Sequence, residues 1–175
     1  MKVINTKFQG LKIIQQKRHG DNRGFLRETF RRKIIKWDEL IFDYVTTSKG
    51  NVLRGFHFQS KYKQAKFVSV LKGKIFDVAV DIRKNSKTYM KHFKCYLSDK
   101  NNKSIYIPPG FAHGFYSYEK ENIIIYGCTN YRDKKSEKGI RWNDPNLKIK
   151  WPNNKPILST KDRKNLLYKD LLNHK

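Results

Sequence analysis

Cysteine is scarce in this chain. Cys95 and Cys128 are the only two, too few and too far apart for a disulfide framework or a zinc ribbon. Both read as reduced thiols, which points to the cytoplasm. No apolar run approaches the roughly 20 residues that cross a bilayer. The opening residues, Met1 to Thr6, lack the apolar centre of an export signal, so no membrane association is expected. Acidic residues are also few: 15 against 39 basic ones leave a net charge of +24. Such a field attracts nucleic acid, anionic lipid and phosphorylated metabolites. The basic residues are mostly Lys, however, spread along the whole chain without a basic run, a zinc finger or an RNP signature. Specific nucleic-acid binding is therefore not expected.

Hydrophobic residues make up 38% and aromatic residues 14%, enough for a packed core despite 31% charged residues. Helix formers are thin, whereas β-branched and aromatic residues are frequent, which favours a mainly β fold. With no internal repeat and no low-complexity linker, residues 1–175 read as a single domain. Strands are expected within residues 1–15, after the Arg23-Gly24 turn, over Val45–Thr47 and over Val52–Phe58. The spacing of Ile34, Ile35, Trp37 and Leu40 predicts a short helix over residues 31–41. Lys72-Gly73, flanked by β-branched and aromatic residues, predicts a hairpin over Phe67–Asp81. In its second arm Phe76, Val78, Val80 and Ile82 share one face, Asp77 and Asp81 the other. Further strands fit Phe93–Leu97, Ser104–Ile107, His113–Tyr118 and Ile123–Thr129. Ser159 begins a capping sequence, predicting a helix that runs on through Leu166, Leu167 and Leu171. Many short strands at near-regular spacing make a sandwich or barrel.

Chemistry concentrates in Asn51-Val-Leu-Arg54-Gly-Phe-His57-Phe-Gln59. A histidine can serve as a general base near neutral pH, and an arginine offers a permanent forked cation suited to phosphate. A structural strand has little reason to carry both, although a hydrogen-bonded core histidine and a surface arginine are the plainer reading of that stretch alone. Arg54 and His57 have opposite parity on a regular strand, so both reach one site only through a bulge or kink at Gly55. A second histidine, His113, follows a Pro-Gly turn in Ile107-Pro-Pro-Gly-Phe-Ala-His113, as in small barrels of the cupin type. Metal-binding cupins need a His-x-His pair and a Glu; here Gln59 stands two after His57 and no Glu follows nearby. No metal is expected.

Four stretches, Val52–Gln59, Phe76–Arg83, Ile107–Phe115 and Gly139–Pro145, resemble the dTDP-4-dehydrorhamnose 3,5-epimerase family. Asp21–Glu28 and the segment from Trp151 to Arg163 match as well, in one register from about residue 10 to 165. The resemblance implies a cupin-type jelly-roll β-barrel or sandwich with a few short helices. Its core would span about residues 40–150, with N-terminal strands and a C-terminal helical tail packed on it. It further implies a homodimer whose N-terminal strands contribute to the partner's site, no cofactor, and a nucleotide-diphosphate 4-keto sugar as substrate.

Carbons C3 and C5 of such a sugar are acidified by the C4 carbonyl between them. Epimerisation needs a base on one face, an acid on the other and a cation near the enolate oxygen. By resemblance His57 is the base, Tyr126 the acid, Lys66 the cation, and Asp162 holds the far nitrogen of His57. Arg23, Arg54, Lys161 and His113 would contact diphosphate or sugar. Phe25, Glu28 and Glu137 match family positions near the nucleotide, and Gln59 and Tyr131 complete the expected binding set. The chain departs from the family where Phe42, Tyr44 and Thr46 stand in a Gln-x-Asn-x-Ser-x-Ser pattern whose last serine Ser48 keeps. It departs again where Arg132 replaces an aromatic ring that stacks on the base, a position a guanidinium can also fill. The catalytic residues match more closely than those that read the nucleotide. A CDP- or GDP-linked sugar, inversion at one carbon only, or a non-catalytic basic barrel binding polyanions are the alternatives.

Overall fold

The computed structural model describes residues 1–33 and 39–173. In chain order the strands are β1 (Lys2–Asn5), β2 (Lys12–Gln15), β3 (Arg18–Asp21), β4 (Gly24–Arg27), β5 (Phe42–Ser48), β6 (Leu53–Gln59) and β7 (Lys66–Lys72). They continue as β8 (Lys74–Asp81), β9 (His92–Ser98), β10 (Lys103–Ile107), β11 (Phe111–Ser117), β12 (Asn122–Cys128) and β13 (Glu137–Gly139). Two short helices follow, α1 (Thr160–Arg163) and α2 (Tyr168–Asn173). A six-stranded sheet in the order β1-β2-β10-β7-β12-β5 faces a five-stranded sheet in the order β13-β6-β11-β8-β9, and β3 pairs with β4 alone. Neighbouring strands are antiparallel in both sheets, so the fold is the expected mainly β jelly-roll sandwich. Among the described residues no helix is long and apolar enough to cross a membrane.

Strand alternation builds the interior. Ile124, Tyr126 and Cys128 of β12 point between the sheets, where they meet Val68 and Val70 of β7 and Ile75 and Ala79 of β8. The other face of β8 is buried too: Phe76, Val78 and Val80 lie beneath Ile140, Leu147, Tyr168 and Trp151. A strand covered on both faces loses its polar alternation, and each fully buried aliphatic side chain contributes about 1.5–3 kcal/mol. Asp77 and Asp81, on the face that the sequence leaves polar, are fully buried but bonded, to His113 and to Arg83.

The structure corrects two expectations. β7 and β8 are not a hairpin. β7 lies between β10 and β12, and β8 lies in the opposite sheet between β11 and β9. Gly73 turns the chain from one sheet to the other at φ +87°, where a Cβ would stand 2.6 Å from Asn122 Oδ1. Its N–H donates to Asp99 Oδ2 at 3.1 Å, and Lys74 N–H donates to Asn122 Oδ1 at 3.0 Å. A corner and a hairpin share the same local turn chemistry, and the β10 and β12 ladders already occupy both edges of β7. The C-terminal helix is likewise not continuous. Ser159 Oγ does accept from Asp162 N–H at 3.0 Å and opens α1. Arg141 N–H then takes Leu166 O at 2.8 Å, and Asp144 Oδ2 takes Tyr168 N–H at 2.7 Å. These bonds draw residues 165–167 out of helical geometry, so α1 stops and α2 begins afresh. Of the helix expected over 31–41, Ile34, Ile35 and Trp37 lie outside the described residues, and Leu40 is not helical.

Candidate active site

A cavity of about 550 Å³ opens between the sheets, lined by His57, Lys66, Tyr126 and Asp162 together. β6 supplies the first of these through a local irregularity. His57 pairs with His113 of β11, whereas Arg54 pairs with Phe115. Three steps on β6 therefore match two on β11, and the extra residue turns Arg54 and His57 to the same side. Gly55 makes this possible at φ +126°, since a Cβ there would stand 2.5 Å from Gly114 Cα and 2.8 Å from His113 O. The parity conflict in the sequence is resolved at the residue where a bulge was expected.

His57 Nε2 lies 2.6 Å from Asp162 Oδ1. Burial pushes the Asp162 carboxyl upward, but hydrogen bonds from His57, Ser159 and the Gly55 backbone outweigh it and hold the group below its usual range. An ionised Asp162 accepts from Nε2–H, which leaves Nδ1 of His57 as the unprotonated nitrogen. Asp162 reaches the site because the α1 cap fixes its backbone beside β6, while its neighbour Lys161 turns to Glu137.

Tyr126 is 4% exposed. Its ring stacks on Tyr44 at 4.7 Å and meets His113 edge-on at 6.0 Å. Burial, reinforced by Tyr44 and the Asp77 charge, pushes the phenol well above its ordinary pKa, so it holds its proton. Lys66, at the start of β7, stands opposite Cys128 of β12. Burial lowers its affinity for the proton, and the Glu137 carboxylate opposes that shift. The Cys128 thiol is itself pushed up to about 11 by burial and is neutral at physiological pH.

The binding residues expected from the sequence divide into two groups. Tyr44, Arg54, Gln59, His113, Arg132, Glu137 and Lys161 line the cavity. Arg54 is held by Ser48 Oγ at 3.0 Å and Thr47 O at 2.9 Å. Glu137 joins two cations: Arg132 Nη2 at 2.7 Å and Lys161 Nζ at 2.9 Å. The Gln59 amide is spent on the backbone of Tyr62, Tyr131 and Asp133, so it shapes the wall rather than offering a free group. Arg23, Phe25, Glu28 and Tyr131 do not line this cavity. Arg23 pairs with Asp21 at 2.6 Å, Phe25 lies under Arg18, and Glu28 pairs with Arg31. Tyr131 is 67% exposed and stacks on Phe42 at the rim.

Sequence reasoning named none of Asp77, Gln64, Thr46 and Ser159 as a site residue. Asp77 Oδ2 lies 2.8 Å from His113 Nε2, a second histidine–carboxylate pair behind the cavity wall. A carboxylate set between Phe76 and Val78 in an apolar strand is a legible signal for such a pair. Thr46 and Ser159 line the cavity, Thr46 by sharing the parity of Tyr44 on β5. Gln64 gives no signal of its own. Among the described residues no group of three His, Cys, Asp or Glu side chains is arranged to hold a metal ion.

The profile of the dTDP-4-dehydrorhamnose 3,5-epimerase family matches residues 5–170. A dTDP-4-dehydrorhamnose 3,5-epimerase of Methanothermobacter thermautotrophicus is 41% identical over 93% of this chain and 91% of its own. The enzyme of the same name from Shigella flexneri is 40% identical over 93% of both. Among solved structures, the dTDP-6-deoxy-D-glucose-3,5-epimerase of Legionella pneumophila, in complex with dTDP-4-keto-L-rhamnose, superposes with a TM-score of 0.90. It shares 42% identity, covering 95% of this chain and 92% of that one. The Bacillus anthracis dTDP-4-dehydrorhamnose 3,5-epimerase, with TDP and PPi bound, gives a TM-score of 0.91 at 37% identity, covering 95% and 98%.

Proposed function

The chain belongs to the dTDP-4-dehydrorhamnose 3,5-epimerase family, and from that premise we propose that its cavity inverts the carbons beside the ketone of a dTDP-linked 4-keto-6-deoxy sugar through His57, Tyr126, Lys66 and Asp162. The protein is an isomerase of nucleotide-sugar metabolism, on the route to dTDP-rhamnose.

Nδ1 of His57 removes the proton from carbon, and the C–H electron pair moves into the C4–O bond to give an enolate. The ammonium of Lys66 stabilises the oxygen where that charge develops. Tyr126 delivers its proton to the opposite face of the carbon, and the configuration inverts. Asp162 keeps the imidazole in one tautomer and orientation, and stabilises the imidazolium once His57 has taken the proton. Arg54, His113, Arg132 and Lys161 supply the positive and hydrogen-bonding wall for the sugar diphosphate, and Glu137 spaces the last two cations. The observation that carries the reading is the pairing of His57 with Asp162 at 2.6 Å in the cavity that also holds Tyr126 and Lys66.

Proton NMR of dTDP-4-keto-6-deoxyglucose incubated with the protein in deuterated water tests the proposal. Deuterium is expected at C3 and at C5, with product of inverted configuration. No exchange at either carbon overturns the reaction, and exchange at C3 alone makes the protein a mono-epimerase.

The working unit in this reading is a cytoplasmic homodimer of one catalytic domain. Its support is the isolated β3–β4 hairpin, where Phe25 and Leu26 are 48% and 66% exposed. Laid on a second copy, the hairpin would bury this apolar tip and carry Arg23 toward the partner's nucleotide. Light scattering at assay concentration is expected to give the mass of two chains. A monomer with full activity overturns it.

A further inference from the structure

Lys66 is a half-buried cation with no acidic partner among the described residues. Glu137, the carboxylate whose charge acts on it, is already bonded to Arg132 and Lys161. The hydrogen bond that Lys66 makes runs from Nζ to Oε1 of Gln64, at 2.5 Å. The orientation of that amide is set by its other end, since Gln64 Nε2 donates to the backbone carbonyl of Asn130. A flipped amide would aim N–H at an ammonium and at the same time lose an acceptor. The backbone on either side is fixed as well: Ala65 N–H donates to Thr129 Oγ1 at 2.9 Å, and Thr129 N–H donates to Ala65 O at 3.3 Å. Residues 64–66 and 128–130 thus form one clamp, two residues beyond Tyr126 on β12.

We propose that Gln64 is a positioning residue for the reaction: its neutral amide fixes the Lys66 ammonium against the strand that carries Tyr126 while leaving the full positive charge to the enolate oxygen. This rests on the role given to Lys66 above. A carboxylate at position 64 would hold the ammonium as well as an amide does, but would cancel its field where the oxyanion forms. An apolar side chain would leave the field intact and the ammonium untethered. The two changes have opposite effects on the lysine proton. An added anion holds the proton more firmly, and a lost acceptor releases it more easily. Cys128 from β12 and Glu137 from β13 are the other titratable groups acting on Lys66, and neither substitution alters them.

The test measures inversion of dTDP-4-keto-6-deoxyglucose by proton NMR across pH for Gln64→Glu, Gln64→Met and Lys66→Ala, with thermal midpoints and dTDP binding recorded alongside. Gln64→Glu is expected to lower kcat about 100-fold, the scale of one oxyanion-stabilising group, with KM held within about threefold. Its alkaline limb moves to higher pH. Gln64→Met is expected to lose about 10-fold, a part of that same contribution, with the alkaline limb moving to lower pH. If Gln64→Glu does not fold, the Gln64→Met limb decides. Wild-type kcat in a folded Gln64→Glu protein overturns the inference while an inactive Lys66→Ala protein leaves the reaction scheme standing. Losses in both Gln64 variants without movement of the limb also overturn it, because a structural role alone would produce them. Wild-type turnover in Lys66→Ala overturns the scheme beneath, and the inference with it.

Discussion

His57→Ala lowers turnover on dTDP-4-keto-6-deoxyglucose by about 100- to 10,000-fold, the range that a positioned general base contributes. The loss appears equally in inversion and in uptake of solvent deuterium, because without the base no proton leaves carbon. KM changes little, since the cationic groups of the cavity wall, Arg54, Lys161 and Arg132, stay in place. The expected cost to the fold is small. His57 lies at the cavity wall, 32% of its side chain exposed, and the packing of β6 rests on Leu53 and Phe56 on the other face. What the substitution does disturb is Asp162, a buried carboxylate that loses a partner, at about 1–3 kcal/mol. His57→Asn keeps a donor near that carboxylate and separates the two effects. It is expected to restore the thermal midpoint without restoring turnover. Near-wild-type turnover in either folded variant removes His57 from the mechanism.

Much of this site was legible through the family resemblance, which sets His57, Tyr126, Lys66 and Asp162 in one register. Residue types at odds with their surroundings are a weaker local signal. A strand reading Val-Leu-Arg-Gly-Phe-His has little structural reason to carry both its Arg and its His, and the residue that lets both face the cavity is the glycine between them. The alternation in β12 places Tyr126 inward with Ile124 and Cys128 by strand period alone. What escaped was long-range pairing. Lys72-Gly73 carries the chemistry of a tight turn whether the chain folds back on itself or crosses to the opposite sheet, and the choice is made by Asn122 and Asp99, 49 and 26 residues from the glycine. The C-terminal helix failed for a like reason. Leu166, Leu167 and Leu171 have helical spacing, but Arg141 and Asp144 claim the backbone between them. Local propensity is a weak prior against such tertiary bonds.

The hairpin at residues 18–27 shows a different limit. Its residues alone mark a turn, and what covers it is indicated only by the family resemblance. Arg23, Phe25 and Glu28 do not line the cavity of their own chain, and the resemblance had placed the N-terminal strands at the partner's site. Gln64 marks the opposite case. A glutamine two residues before a lysine is unremarkable in sequence, and it acquires meaning only when the ammonium beside it is found half-buried, with no carboxylate bonded to it among the described residues.

Tyr126→Phe separates proton removal from inversion. The substitution deletes one oxygen and keeps the ring, so stacking on Tyr44 at 4.7 Å and the edge contact with His113 survive. The fold loses at most about 0.5–1.5 kcal/mol, the net worth of one hydrogen-bonding hydroxyl. His57, Asp162 and Lys66 are untouched, so carbon still gives up its proton and the enolate still forms. What is missing is the donor on the opposite face, the phenol whose burial keeps it protonated. The enolate can then be quenched only from the face of His57, by the deuteron that its imidazolium has gained from solvent. Formation of the inverted sugar is expected to fall about 100- to 10,000-fold, as for loss of a general acid. Deuterium should nevertheless enter the recovered substrate with configuration retained, at a rate far above that of inversion. Equal loss of exchange and inversion in a folded Tyr126→Phe protein would assign the phenol to enolate formation instead. Undiminished inversion would place the acid on another residue, with His113, held by Asp77 at the same wall, the next group within reach.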